Sequence, residues 1–399
     1  MTQNIGRSLV SLMTVLLILS LALNGYYWFQ LNQSDPGLSP LADNDSSMIP
    51  QKTQVPDYEQ PLSGIESNAT LSSSQIVVQQ SLPDSEQPLT LDELYGYLRE
   101  ENWGLLTVAV REFLKQSPDN IDALLIEAEL IARTEPLSIA LVHYYSLFDI
   151  ALDFEQRKTI TEKIERLFEN ATEQLRFDRS WDLLAELLEP LVQIAPEERR
   201  YLILLAEAYA QQINEVMMEN ALAGLDSDDP AIESIRNILA RKQTSDLDED
   251  TLTADVKSFD SQLDNTNITR IPLDRLGNQY TVETGIDGRP VRLMIDTGAS
   301  TTAITTRAWS RLSQRVASQF IGIFKVNTAA GFIEAPMFKV KSFTLGSLNF
   351  DDVSVMIIPS RMMGDNPRTA PQGLLGMNIL SSFNFQIDQQ AAQLLLSPR

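Results

Sequence analysis

The stretch 293-LMIDTGASTTAIT-305 decides how the C-terminal third of this chain is read. An apolar run, 291-VRLMI-295, delivers one carboxylate, Asp296, into a turn of small residues, Thr297, Gly298, Ala299 and Ser300. A carboxylate placed at the end of a buried strand is costly unless it has a partner or a task. No second Asp-Thr-Gly or Asp-Ser-Gly occurs anywhere in the 399 residues.

Composition narrows the chemistry. The chain has no Cys and a single His, His143. Disulfides, metal sites built on Cys or His, and Ser-His or Cys-His nucleophiles are therefore excluded. Catalysis is left to carboxylates, hydroxyls or lysines, and neither a cofactor nor a metal is implied. The formal net charge of −23 opposes a nucleic-acid partner, because a phosphate backbone would be repelled. Residues 266–399 carry 13 Lys plus Arg against 9 Asp plus Glu, while residues 1–265 carry 18 against 45. The acidity thus belongs to the N-terminal two-thirds, where it reads equally as solvated helix faces or as a docking surface.

From residue 268 onward the pattern is one of short β-like runs. Candidate strands are Tyr280–Thr284, Val291–Ile295, Ala335–Val340, Val353–Ile358, Phe383–Ile387 and Gln393–Leu396, with a hairpin turn at Gly285-Ile286-Asp287-Gly288. A compact all-β domain over 268–399 follows. Beyond the Asp-Thr-Gly comes 373-GLLGMNIL-380, an apolar pair, a Gly, and Asn378 opening a short helix.

This arrangement resembles the retropepsin-like aspartic proteases over Ile271 to Leu396. The resemblance implies that Asp296 is the catalytic carboxylate, with Thr297, Gly298 and Ala299 completing its loop. Thr297 would brace the loop across a dimer axis. Leu374, Leu375 and Gly376 match the family's element that crosses behind that loop. A substrate-covering flap is expected at 324-FKVNTAAGFIEAP-336, with Thr328, Ala329, Ala330 and Gly331 at its tip. The chemistry needs two carboxylates about 3 Å apart sharing one proton, one as base toward water and one as acid. With one motif in the chain, the second carboxylate is expected from a second copy, in a homodimer acting on a protein or peptide substrate. Ala299 lacks the hydroxyl that would lower the pKa values of the pair, so a less strongly acidic optimum is expected.

The N-terminal part reads as five further segments. Residues 8–29, SLVSLMTVLLILSLALNGYYWF, are long and apolar enough to span a bilayer, at about 33 Å for a 1.5 Å rise per residue. Arg7 precedes the span and the next basic residue is Lys52, so residues 1–7 are expected in the cytoplasm and the body outside it, in the periplasm of a bacterium. Ser20-Leu21-Ala22 offers a signal-peptidase site, whereas Tyr26, Tyr27 and Trp28 suit an interfacial belt of a retained anchor. Residues 30–88, rich in Ser, Gln, Pro and Asp, read as a flexible tether.

Residues 89–242 show helical periodicity, opening with the capping box Thr90-x-x-Glu93. Two stretches, 103-WGLLTVAVREFLKQSP-118 and 181-WDLLAELLEPLVQIAP-196, resemble each other, and Ala128 and Ala206 follow them at equivalent places. The pattern resembles tetratricopeptide repeats, with Pro190 and the segment Phe154 to Phe177 departing from it. Such an array implies a concave surface for a protein partner or a substrate segment. Residues 243–267 read as an acidic linker. The expected whole is a membrane-anchored, multidomain protein. Its alternative reading is a non-catalytic cell-envelope adaptor, with the β domain as a dimerisation or peptide-binding module.

Overall fold

The structure is a computed structural model that describes residues 89–150, 152–252, 268–328, 331–364 and 370–398, with 245–252 as backbone only. The expected span 8–29, the tether 30–88 and residues 253–267 lie outside the described residues. Among the described residues no helix is long and apolar enough to cross a membrane.

The helical part contains α1 Leu91–Arg99, α2 Trp103–Gln116, α3 Ile121–Thr134, α4 Leu137–Ser146, α5 Phe154–Phe177, α6 Trp181–Ile194, α7 Arg199–Gln211, α8 Glu215–Leu222 and α9 Pro230–Leu252. The capping box forms as expected: the Glu93 amide donates to Thr90 Oγ1 while Glu93 Oε2 accepts from the Thr90 amide at 2.8 Å. The similar stretches become the helices α2 and α6, each of 14 residues. They end alike, with Ser117 at φ −137°, ψ 70° and Ala195 at φ −133°, ψ 66°. Ala128 and Ala206 are both fully buried, which lets neighbouring helices approach closely. Phe154–Phe177, which fitted no repeat register, is one long helix capped by Asp153 and Gln156. Pro190 lies inside α6, where it removes one backbone donor from an otherwise regular helix. Helix α9 continues to Leu252, so helix extends into the stretch read as a linker.

Three of the helix junctions share one device. Glu101, Arg179 and Ile213 take positive φ of 53, 56 and 58°, and the next residue's amide reaches back to Tyr97, Leu175 and Tyr209 carbonyls, respectively. This is a helix-ending turn that usually recruits Gly, which is why sequence inspection passes over it.

The β part comprises β1 Thr269–Pro272, β2 Asp274–Leu276, β3 Gln279–Ile286, β4 Arg289–Ile295, β5 Ala303–Thr305, α10 Thr306–Leu312, β6 Ser318–Thr328, β7 Gly331–Leu345, β8 Leu348–Ile358, β9 Gly373–Leu375, α11 Met377–Leu380, β10 Phe383–Asp388 and β11 Gln393–Pro398. The strands form a sheet in the order β2-β3-β4-β9-β5-β8-β7-β6, closed by a β3–β7 pairing, and a second sheet β1-β11-β10. The first hairpin turn is narrower than read from sequence. Ile286 pairs with Arg289, leaving Asp287 and Gly288 as the two-residue turn, both at positive φ. The Asp287 carboxylate accepts from the Ala317 and Ser342 amides at 2.7 and 2.9 Å, tying the turn to two other segments.

The closed sheet holds its own core, built on Val282, Leu293, Ile304, Phe343, Val355, Leu375 and Leu396. A second core is shared between the parts: Leu137, Leu141, Leu184 and Leu187 of the helices cluster with Ile321, Phe324, Ala335 and Met337 of the β6–β7 hairpin. The described residues accordingly fall in one compact unit.

Candidate active site

Strand β4 ends at Ile295, and Asp296 begins the loop. The Asp296 amide donates to the Leu375 carbonyl at 3.1 Å, so the loop starts directly over β9. That strand lies between β4 and β5: Met294 and Ile295 pair in parallel with Leu374 and Leu375, and Ala303 pairs antiparallel with Leu374. Leu374 and Leu375 thus lie directly behind the loop.

Gly376 sits at the crossing, where a Cβ would come within 2.5 Å of the Thr301 carbonyl carbon. Gly373 is under the same constraint, since its Cβ would collide with the Ala303 carbonyl oxygen. Backbone here passes backbone too closely for any side chain.

Within the loop, Asp296 is half-buried, and its Oδ1 accepts from the Gly298 amide at 2.9 Å. The Ala299 amide donates to the Asp296 carbonyl at 3.3 Å. Thr297 and Gly298 are exposed, and among the described residues the Thr297 side chain makes no hydrogen bond. Thr302, by contrast, is fully buried. Its amide and hydroxyl both donate to Asn378 Oδ1, at 2.9 and 2.8 Å, and its Oγ1 accepts from the Gly376 amide at 3.1 Å. The Met377 and Asn378 amides reach the Ala299 and Ser300 carbonyls at 2.8 and 2.9 Å. Asn378 Nδ2 donates to the Ser354 carbonyl at 3.1 Å. The result is a loop whose rear is fully hydrogen-bonded and whose front presents a carboxylate and a free hydroxyl.

The segment of the candidate flap lies on the β6–β7 hairpin. Thr328 pairs with Gly331, and Thr328 Oγ1 donates to the Gly331 carbonyl at 2.7 Å. Gly331 has φ 104°, a conformation that favours Gly at this turn. Ala329 and Ala330 lie outside the described residues. Phe332, beside the tip, is 66% exposed, with the Lys325 ammonium 4.7 Å from its ring centroid.

Sequence reasoning missed how closely the helices approach this site. Ser300 Oγ donates to Asp182 Oδ2 at 3.0 Å, and the hydroxyls of Ser180 and Thr301 share a hydrogen bond of 2.9 Å. Asp178, 4% exposed, accepts from Gln174 Nε2 at 2.9 Å and faces Ser354 and Asn378. Burial pushes its pKa above the usual carboxylate value, and the Ser354, Gln174 and Asn378 dipoles offset this only in part. Asn378 was read from sequence only as a helix start. Its position two residues after the Gly of an apolar-apolar-Gly run is the signal that could have flagged it.

Among the described residues no group of three or more His, Cys, Asp or Glu side chains gathers as a metal site. His143, half-buried and 3.7 Å from Glu127, lies on α4 within the helical part.

Residues 282–379 match the model of an aspartyl protease family. No curated protein matches the chain. Similar solved structures include a retropepsin-like aspartic protease from Rickettsia conorii, 21% identical over 33% of this chain and 90% of that one, with a TM-score of 0.23. Another is the EIAV protease complexed with the inhibitor HBY-793, 22% identical over 27% of this chain and 90% of that one, with a TM-score of 0.21. The segment that carries Asp296, β9 and Asn378 is the one that matches the aspartyl protease family model.

Proposed function

We propose that the protein is a retropepsin-like aspartic endopeptidase that hydrolyses peptide bonds of protein substrates as a homodimer. Two Asp296 carboxylates, one from each copy, share a proton. The charged one takes a proton from a bound water as the water oxygen attacks the scissile carbonyl carbon, and the neutral one protonates the carbonyl oxygen. Protonation of the nitrogen then releases the amine. The observation that carries this reading is the loop itself: a braced rear, with Asp296, Thr297 and Gly298 facing outward. An exposed threonine hydroxyl without a partner suits a grip on the same residue of a second copy.

The remaining expectations complete the proposal. The helical array, read as tetratricopeptide-like, recruits a protein partner or substrate segment. The segment 8–29 anchors the chain with its body on the extracytoplasmic side, and confinement to a membrane raises the effective concentration for dimerisation.

Asp296→Asn keeps the shape of the loop while removing the base. It is expected to abolish peptide hydrolysis and to leave the dimer intact in sedimentation analysis. Hydrolysis at the wild-type rate in this variant would eliminate the assignment and favour the adaptor reading.

A further inference from the structure

Helix α6 begins with a residue that does not cap it. At the equivalent junctions, Asn102 and Asn214 accept from the Leu105 and Met217 amides, each at 3.3 Å, closing the first turns of α2 and α8. Ser180, at the same place before α6, makes no such bond. Its hydroxyl, fully buried, is spent on Thr301 Oγ1 at 2.9 Å. A missing cap leaves first-turn amides of the helix without their usual acceptor, so a local rule has been broken where the chain meets the catalytic loop.

The neighbouring positions differ in the same direction. Where α2 has exposed Glu100 and Gly104, the α6 junction has buried Asp178 and exposed Asp182, two carboxylates that both face the β part. Asp182 receives the Ser300 hydroxyl at 3.0 Å, and Asp178 sits against Asn378, which holds Thr302. Three consecutive loop residues, Ser300, Thr301 and Thr302, are thus held directly or through one side chain by 178–182. Arg179, at φ 56°, turns the chain between Ser180, which reaches the loop, and Asp178, which reaches Asn378 behind it.

We propose that Ser180 and Asp182 are positioning residues of the active site, so that the helical part serves as a fixed wall of the catalytic loop and not only as a recruiting module. The inference rests on the endopeptidase reading for its kinetic consequence, but the clamp itself is a statement about the loop. Reactive geometry is sensitive to displacements of about 1 Å, and a loop released from Ser300 and Thr301 would let Asp296 drift from its partner.

The test uses the full chain with a peptide substrate. Asp182→Ala and Ser180→Ala are each expected to lower kcat by about tenfold with KM changed less than about twofold. Asp182→Asn, which keeps an acceptor for Ser300, is expected to restore most of the rate. Asp182→Ala combined with Ser300→Ala should be no slower than either alone. In parallel, hydrogen exchange of loop amides 296–302 should quicken in the alanine variants while melting temperature holds. Wild-type kcat together with unchanged loop exchange would overturn the clamp, as would a rise in KM alone. If the wild-type chain shows no hydrolysis, the endopeptidase reading fails, and the exchange measurement still decides the clamp.

Discussion

Asp178 is the residue at which burial and charge conflict most openly. It is nearly inaccessible, and its pKa is raised by that burial. A carboxyl whose folded pKa lies above its unfolded value favours the neutral form in the folded state. The folded state therefore holds more protons across that window, and stability falls as pH rises through it. Asp178→Asn keeps the acceptor for Gln174 and removes the charge. The expected outcome is a melting temperature a few degrees above wild type at neutral pH, with the gain vanishing below the ordinary carboxylate pKa. Thermal denaturation of both proteins across that range checks the sign. Asp296, in contrast, was legible at first sight, because a lone acid at the end of an apolar strand has few structural uses.

At the scale of elements, α11 and β9 form the frame on which the loop rests. Asn378 alone satisfies the amide and hydroxyl of buried Thr302 and reaches the Ser354 carbonyl. Asn378→Ala would strand these groups away from water, at a cost of about 2 kcal/mol or more. Urea unfolding should show that loss, and hydrolysis should fall with it. Strands β3, β4, β7, β8, β10 and β11 were readable as short β-like runs, and the tip of the β6–β7 hairpin from its small residues. Strands β5 and β9, three residues each, were not, since such short runs carry no periodicity. The non-Gly turns at Glu101, Arg179 and Ile213 escaped for a similar reason: their residue types do not announce positive φ.

Across the whole molecule, the helices cover the outer strand of the larger sheet. Strand β6 ends the order of strands, and Pro136 bridges Ile323 along that edge. Leu137 lies so near Gly322 that a Cβ there would be 3.1 Å from it, and the Arg133 guanidinium stacks 5.2 Å over the Phe320 ring. Gln319 Nε2 adds a bond to Asn170 Oδ1 at 3.1 Å. An uncovered edge strand with an apolar face invites pairing with other chains. A fragment of residues 268–399 is therefore expected to bind a hydrophobic dye and to aggregate, whereas a fragment of 89–399 stays dispersed; light scattering distinguishes the two. The same packing anchors the base of the candidate flap to the helices through Phe324 and Ala335, with Val326 and Ile333 packed against the same core.

What the sequence alone determined was local. Periodicity marked helices, short β-like runs marked strands, the capping box marked a helix start, and the Asp-Thr-Gly loop with its later apolar-apolar-Gly run marked the candidate site, because each depends on neighbouring residues or on a short recurrent motif. What only the tertiary structure decided was the joining of the two parts. Ser180 and Asp182 meet Thr301 and Ser300 across more than a hundred residues of chain. No local spacing encodes that meeting; it arises because the shared core of Leu137, Leu184, Phe324 and Met337 brings α6 against the loop.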